Sequence, residues 1–171
     1  MMTRNRKLGF TLIELVVVVA ILVMMLAVAM PLFFQIIAQR RLTGAVERLA
    51  IDLRYVQSLA VSQGLVHRLH SGADGTAGRP GQYRLERDNG AGGWVEVAGW
   101  YNPSAEYDGS NLQSIKDHGW ATIVTYDVRF NAQGAVSNTG VGSFPIVLTV
   151  VGKSGATRTV EVLRTGVVRV Q

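Results

Sequence analysis

"PLFFQIIAQRRLTGAVERLAIDLRYVQSLAVSQG", residues 31–64, decides how this chain folds. Leu42, Val46, Leu49, Leu53, Val56 and Ala60 recur at spacings of 4, 3, 4, 3 and 4, the single apolar stripe of an amphipathic helix. Arg48 and Asp52, four residues apart, fall on its polar side, and Gly64 is the expected stop. Upstream, residues 15–34 carry no charged or strongly polar side chain, and at about 1.5 Å per residue they reach across about 30 Å of hydrocarbon. Joined, the two segments predict one helix from about Leu12 to Gln63, roughly 75 Å long. Its first half is apolar on every side and its second half on one. Pro31 loses the hydrogen bond to the carbonyl of Ala27 and is expected to kink or loosen the middle; Gly44 is a second weak point.

Beyond Gly64 the period shortens to two. "LVHRLH" (65–70), "QYRLER" (82–87) and "WVEVAGW" (94–100) read as short strands, with Asn89-Gly90 and Gly92-Gly93 marking the turn between the last two. Residues 102–119, "NPSAEYDGSNLQSIKDHG", show no regular period and are expected to form a long surface loop. "ATIVTYDVRF" (121–130) alternates, with Val124, Tyr126, Val128 and Phe130 on one face and Thr125, Asp127 and Arg129 on the other. The run from Phe144 to Val170 reads as a hairpin across residues 152–155 and a final strand after Gly166. The expected fold class is α+β, a long N-terminal helix packed on a C-terminal antiparallel sheet domain.

Composition narrows the chemistry. The 171 residues include no cysteine, which removes disulfides, thiolate nucleophiles and lipidated cysteines. The net charge of +5 looks like a signal for nucleic acid until it is located. Arg4, Arg6 and Lys7 precede the apolar run, and without them 14 basic residues face 12 acidic ones, an ordinary surface. The basic flank instead predicts a cytoplasmic N terminus, one membrane crossing and a globular part on the far side. At the edge of the apolar run stands Glu14. A carboxylate costs about 2.5–3.5 kcal/mol at a bilayer centre, less toward its edge, so Glu14 needs a partner.

These residues resemble the class III leader of type IV pilins and type II secretion pseudopilins. The match is a short basic leader ending in Gly9, then Phe10-Thr11-Leu12-Ile13-Glu14, the apolar run and Pro31. The resemblance implies cleavage by a prepilin peptidase between Gly9 and Phe10 and N-methylation of Phe10. It also implies that Glu14 neutralises the amino terminus of a neighbouring subunit during assembly. Elementary electrostatics agrees: a new ammonium group on Phe10 is the opposite charge that relieves a buried carboxylate, and a mismatch in axial register leaves both unpaired. The expected organisation is a leader at 1–9, a transmembrane assembly helix at 10–35, its amphipathic continuation at 36–63, and a globular domain at 64–171. An ordinary signal peptide is the competing reading, with an apolar core at 15–26 and Ala27-Val28-Ala29 as the cleavage site. It leaves Glu14 unexplained and cuts a periodic helix.

The helix end "LAIDLRYVQSLAVSQG" and the C-terminal strands are similar to those of the minor pseudopilin H and FimT-type minor pilin family. This implies a structural filament subunit at or near the tip that helps initiate assembly. Its partners would be other pseudopilins or minor pilins through helix packing, the prepilin peptidase and the inner-membrane assembly platform. The chain has no Asp-Pro-Trp-Gly-like stretch of the major pseudopilin's calcium loop. In the alternative, a FimT-type minor pilin, some members bind DNA through a C-terminal Gly-Arg-x-Arg pattern. Arg158, Arg164 and Arg169, beside Lys153, would serve here, although Gly166-Val167-Val168-Arg169 lacks one arginine of the pattern. Isolated surface arginines are also ordinary solvated positions.

No catalytic residue, metal or cofactor is assigned, and the chain is not read as an enzyme. Gly152-Lys153-Ser154 lacks the glycine of a phosphate-binding loop, since position 147 is Val147. His67 and His70, three apart on a strand, point to opposite faces and cannot share a metal, and His118 falls in a loop. Glu106, Asp108 and Asn111 offer oxygen ligands for calcium, against a simple reading as solvated loop. A third hypothesis keeps this loop for enzymatic or ligand-binding work on a membrane-tethered domain.

Overall fold

The computed structural model describes residues 11–72, 78–119, 126–137 and 143–171. Gly9, Phe10, Val124 and Thr125 therefore lie outside the described residues. The chain divides into two units, residues up to Ile37 and Ala38–Gln171. Helix α1 (Leu12–Gln63) is 52 residues long and remains helical through Pro31. It ends where Gly64 takes a left-handed φ of +66°, a conformation that glycine reaches without strain.

In the first unit every residue from 11 to 36 is exposed, including Leu15 at 62 %, Phe33 at 63 % and Phe34 at 64 %. In the second unit all six residues of the apolar stripe are buried, from Leu42 at 4 % to Val46, Leu53 and Ala60 at 0 %. Burying a side chain of leucine size stabilises by about 1.5–3 kcal/mol, so the stripe is what orders this half of the helix.

The stripe packs on two antiparallel sheets. Sheet A contains β1 (His67–Ser71), β2 (Tyr83–Asp88), β3 (Trp94–Tyr101) and β5 (Asp127–Phe130) in the order β3-β2-β1-β5. Sheet B contains β4 (Asn111–Lys116), β6 (Ile146–Val151), β7 (Thr157–Val162) and β8 (Val168–Val170) in the order β4-β6-β7-β8. Leu69, Leu85, Val128 and Phe130 from sheet A share one core with Ile115, Ile146, Leu148 and Val160 from sheet B and with the helical stripe. The β6–β7 hairpin closes at Gly152, whose N–H donates to the Ala156 carbonyl at 2.8 Å, so the Gly-Lys-Ser triplet is a turn.

The expected loop at 102–119 is overturned. It holds a single helical turn, α2 (Pro103–Glu106), and the whole of β4. Asn102 caps α2 by accepting a hydrogen bond from the Ser104 N–H at 3.1 Å. In β4 the pairing with β6 slips between Leu112 and Ser114, so the buried residues are Leu112 and Ile115, three apart. That slip erases the alternation by which a strand is recognised.

Two acids expected on polar faces are also buried. Asp52 is 8 % exposed and Asp127 0 %. Gly44 has a reason as well: a Cβ there would lie 2.6 Å from Cε1 of Tyr107, so the missing side chain is the slot in which that ring rests.

Candidate functional site

Thr11 and Glu14 open α1. The Glu14 N–H donates to the Thr11 hydroxyl oxygen at 3.3 Å, and the Leu15 N–H donates to the Thr11 carbonyl. Thr11-Leu12-Ile13-Glu14 thus has the spacing of a capping box, a signal the sequence reading passed over. An acid in the first turn also faces the positive end of the helix dipole. Glu14 therefore sits where a helix favours negative charge, next to a surface that is apolar all round. Leu12 at 82 % and Ile13 at 71 % exposed flank it. The helix is long and apolar enough to cross a membrane, as a single-pass anchor. A surface of this kind is stable only in lipid or against other apolar helices.

The globular domain carries its charge differently. On the outer face of sheet A, Arg68 Nε donates to Glu86 at 2.6 Å and Arg68 Nη1 to Asp127 at 2.8 Å. Arg129 Nε reaches the same Asp127 oxygen at 3.0 Å, and Arg84 Nη2 reaches Glu86 at 2.6 Å. The Trp94 ring stacks 3.9 Å from the Arg68 guanidinium. Behind this sheet Asp52 accepts hydrogen bonds from the Tyr83 hydroxyl at 2.7 Å and Arg48 Nε at 3.2 Å. Burial, and then the Asp52 carboxylate, push the Tyr83 phenol well above its ordinary value; burial, and then the hydrogen bond to Glu106, do the same for Tyr101. These networks hold the fold together.

The loop acids proposed as calcium ligands have protein partners. Glu106 accepts from the Tyr101 hydroxyl, and Asp108 pairs with Arg41 and, at 3.5 Å, with Lys153. Asn111 belongs to β4. His67 is buried while His70 lies on the other face of β1, and His118 is exposed in a turn. Among the described residues no three His, Asp or Glu side chains are grouped to hold a metal ion. Arg158, Arg164 and Arg169 are exposed but not gathered. The alternation of β7 assigns Arg158 to the side of Val160 and Val162. Arg169 is paired with Glu161 on the opposite side, and Arg164 lies in the turn before β8.

Comparison with known proteins matches both halves of the chain. The prokaryotic N-terminal methylation motif covers residues 4–30. The family described as type II transport protein GspH covers residues 45–166, well over half of the chain. The chain belongs to the GspH family. Its fold is similar to those of two solved proteins. Against the minor pseudopilin EpsH of Vibrio cholerae the TM-score is 0.55 at 12 % identity, over 77 % of this chain and 96 % of that one. Against the type IV minor pilin FimU of Pseudomonas aeruginosa it is 0.52 at 17 % identity, over 78 % and 90 %. No curated protein sequence matches significantly. As a chain of the type II transport protein GspH family with a methylation motif and an apolar N-terminal helix, it has a pilin-like α+β fold.

Proposed function

We propose that the chain is a structural subunit at or near the tip of a type II secretion pseudopilus, where it helps to start the filament that drives protein export. One observation carries this reading: an exposed apolar helix, opened by Glu14, precedes a domain of the GspH family. The leader 1–9 is removed between Gly9 and Phe10, and Phe10 is methylated. The N terminus faces the cytoplasm and the domain the periplasm until the subunit is drawn from the membrane into the filament by the inner-membrane platform. There the helix exchanges lipid for the helices of neighbouring pseudopilins. Glu14 meets the amino terminus of an adjoining subunit, which fixes both pairing and axial stagger. The work is mechanical and not catalytic. A minor pilin of a type IV pilus, binding DNA through Arg158, Arg164 and Arg169, is the second reading; FimU shares the fold, but the three arginines diverge.

Mass spectrometry of the protein recovered from membranes of cells that contain the peptidase tests the proposal. An N-methylated Phe10 at the N terminus is expected. A chain beginning at Met30, or a working chain that retains residues 1–9, overturns it.

A further inference from the structure

The turn between β2 and β3 reads "DNGAGG", residues 88–93, and is exposed to water at Asn89, Gly90, Ala91 and Gly92. The Asn89 side chain folds back over the chain that follows it. Its Oδ1 accepts from the Ala91 N–H at 2.9 Å and from the Gly93 N–H at 2.9 Å, while the Asn89 N–H donates to the Gly93 carbonyl at 3.1 Å. The Gly90 N–H donates to the Asp88 carboxylate at 2.8 Å. A Cβ at Gly93 would lie 2.7 Å from Asn89 Nδ2, so this glycine leaves the room that the carboxamide occupies. Gly90, at a φ of +74°, presents its nitrogen with no side chain beside it.

Each of these contacts has a use in one reaction, attack of the Gly90 nitrogen on the carboxamide carbon of Asn89. The two groups are neighbours along the chain, and their union closes a cyclic imide, so proximity is supplied by the covalent structure. The Ala91 and Gly93 N–H groups polarise the Asn89 carbonyl and stand where negative charge gathers as the carbon becomes tetrahedral. Asp88 Oδ1 is placed to take the proton from the attacking nitrogen. Asn131 supplies the contrast within the same chain. Its Oδ1 also accepts from two backbone N–H groups, Gln133 at 3.0 Å and Ala135 at 2.9 Å. Phe130 precedes it and Ala132 follows it, so it has neither the neighbouring base nor the unhindered nitrogen.

We propose that Asn89-Gly90 is a self-modifying site, at which the folded turn converts its own amide to an acid. The bond from Gly90 N to Asn89 Cγ forms, the Gly90 proton passes through Asp88 to Nδ2, and the Cγ–Nδ2 bond breaks with loss of ammonia. Water then opens the imide at either carbonyl and leaves aspartate or isoaspartate at position 89, with no oxidant or reductant needed. Isoaspartate lengthens the main chain of the turn and draws the residue 89 N–H away from the Gly93 carbonyl. The full chain in detergent and a synthetic peptide of residues 86–95 are incubated side by side in neutral buffer. Peptide mapping by mass spectrometry follows the amide-to-acid mass change at each asparagine. Asn89 in the full chain is expected to convert about tenfold faster than in the free peptide, and Asn131 to stay an amide. Asp88→Ser keeps an oxygen that accepts from the Gly90 N–H but removes the base, and should bring the rate down to that of the peptide with the melting temperature unchanged. Conversion of Asn89 no faster in the folded chain than in the peptide, equal conversion of Asn131, or an unaltered rate in Asp88→Ser overturns the proposal.

Discussion

The Tyr83 hydroxyl donates a 2.7 Å hydrogen bond to Asp52, joining the second strand of sheet A to the helix that packs beneath it. The phenol is nearly buried and the acid is 8 % exposed, so neither has water as a substitute partner. Tyr83→Phe leaves Asp52 with Arg48 alone and should cost about 1–3 kcal/mol in a denaturant melt.

The same pair fixes the alkaline limit of the fold. Burial and the Asp52 charge hold the folded Tyr83 above the ordinary tyrosine value of 10.0, so the unfolded chain releases its proton first. Stability is then fully present below about pH 10 and falls as pH rises beyond it, toward the folded value. Tyr101 adds a loss of the same sign. Melting temperatures between pH 8 and 11 should fall less steeply in Tyr83→Phe than in the natural chain, without becoming flat.

Arg68 stands between two acids that have little water around them, Glu86 and Asp127. Replacing it by leucine removes the charge both depend on and leaves Arg84 and Arg129 as partial substitutes. A loss of about 3 kcal/mol is expected by chemical denaturation. A smaller penalty is expected when Glu86 and Asp127 are replaced by Gln and Asn in the same chain, since no buried charge is then stranded.

Gly166 has a φ of +88°, and a Cβ there would lie 2.0 Å from the Gly134 carbonyl oxygen and 2.2 Å from Gln57 Nε2. Gln57 donates to that carbonyl at 2.8 Å, tying the helix to the turn after β5, against which Gly166 is packed. Gly166→Ala combines backbone strain with a clash against main chain and should destabilise by about 3 kcal/mol. Gly155, also left-handed but with nothing within 4 Å, should lose only about 1 kcal/mol on the same change.

Glu14→Ala should leave the helix in the membrane, since it removes a charge from an apolar segment, yet lower incorporation into filaments about tenfold. Cross-linking to neighbouring pseudopilins in cells measures the difference. Incorporation equal to that of the natural chain would remove the pairing role assigned to Glu14.

What could be read from the sequence follows from how local each signal is. The helical stripe was legible because Leu42 through Ala60 meet their partners on one continuous face, and all six are buried. The hairpin at 152–155 announced itself by its glycines. Asp52 misled because its partner Tyr83 lies 31 residues away, and a position beside the stripe looks polar until something covers it. Asp127 misled for the same reason, its cation arriving from Arg68 on another strand. Strand β4 was hidden by its own bulge, which spaces Leu112 and Ile115 like a helix. The capping spacing of Thr11 and Glu14 was present to be read and was masked by the stronger apolar signal around it.

Gly44 gives the last consequence. Glycine weakens a helix by about 1 kcal/mol relative to alanine, and here it does so where the Tyr107 ring settles. The backbone at that level borrows its stiffness from a neighbour 63 residues on. Lifting the turn that carries Tyr107 would therefore slacken the rod at the same stroke, so clamp and joint are one contact.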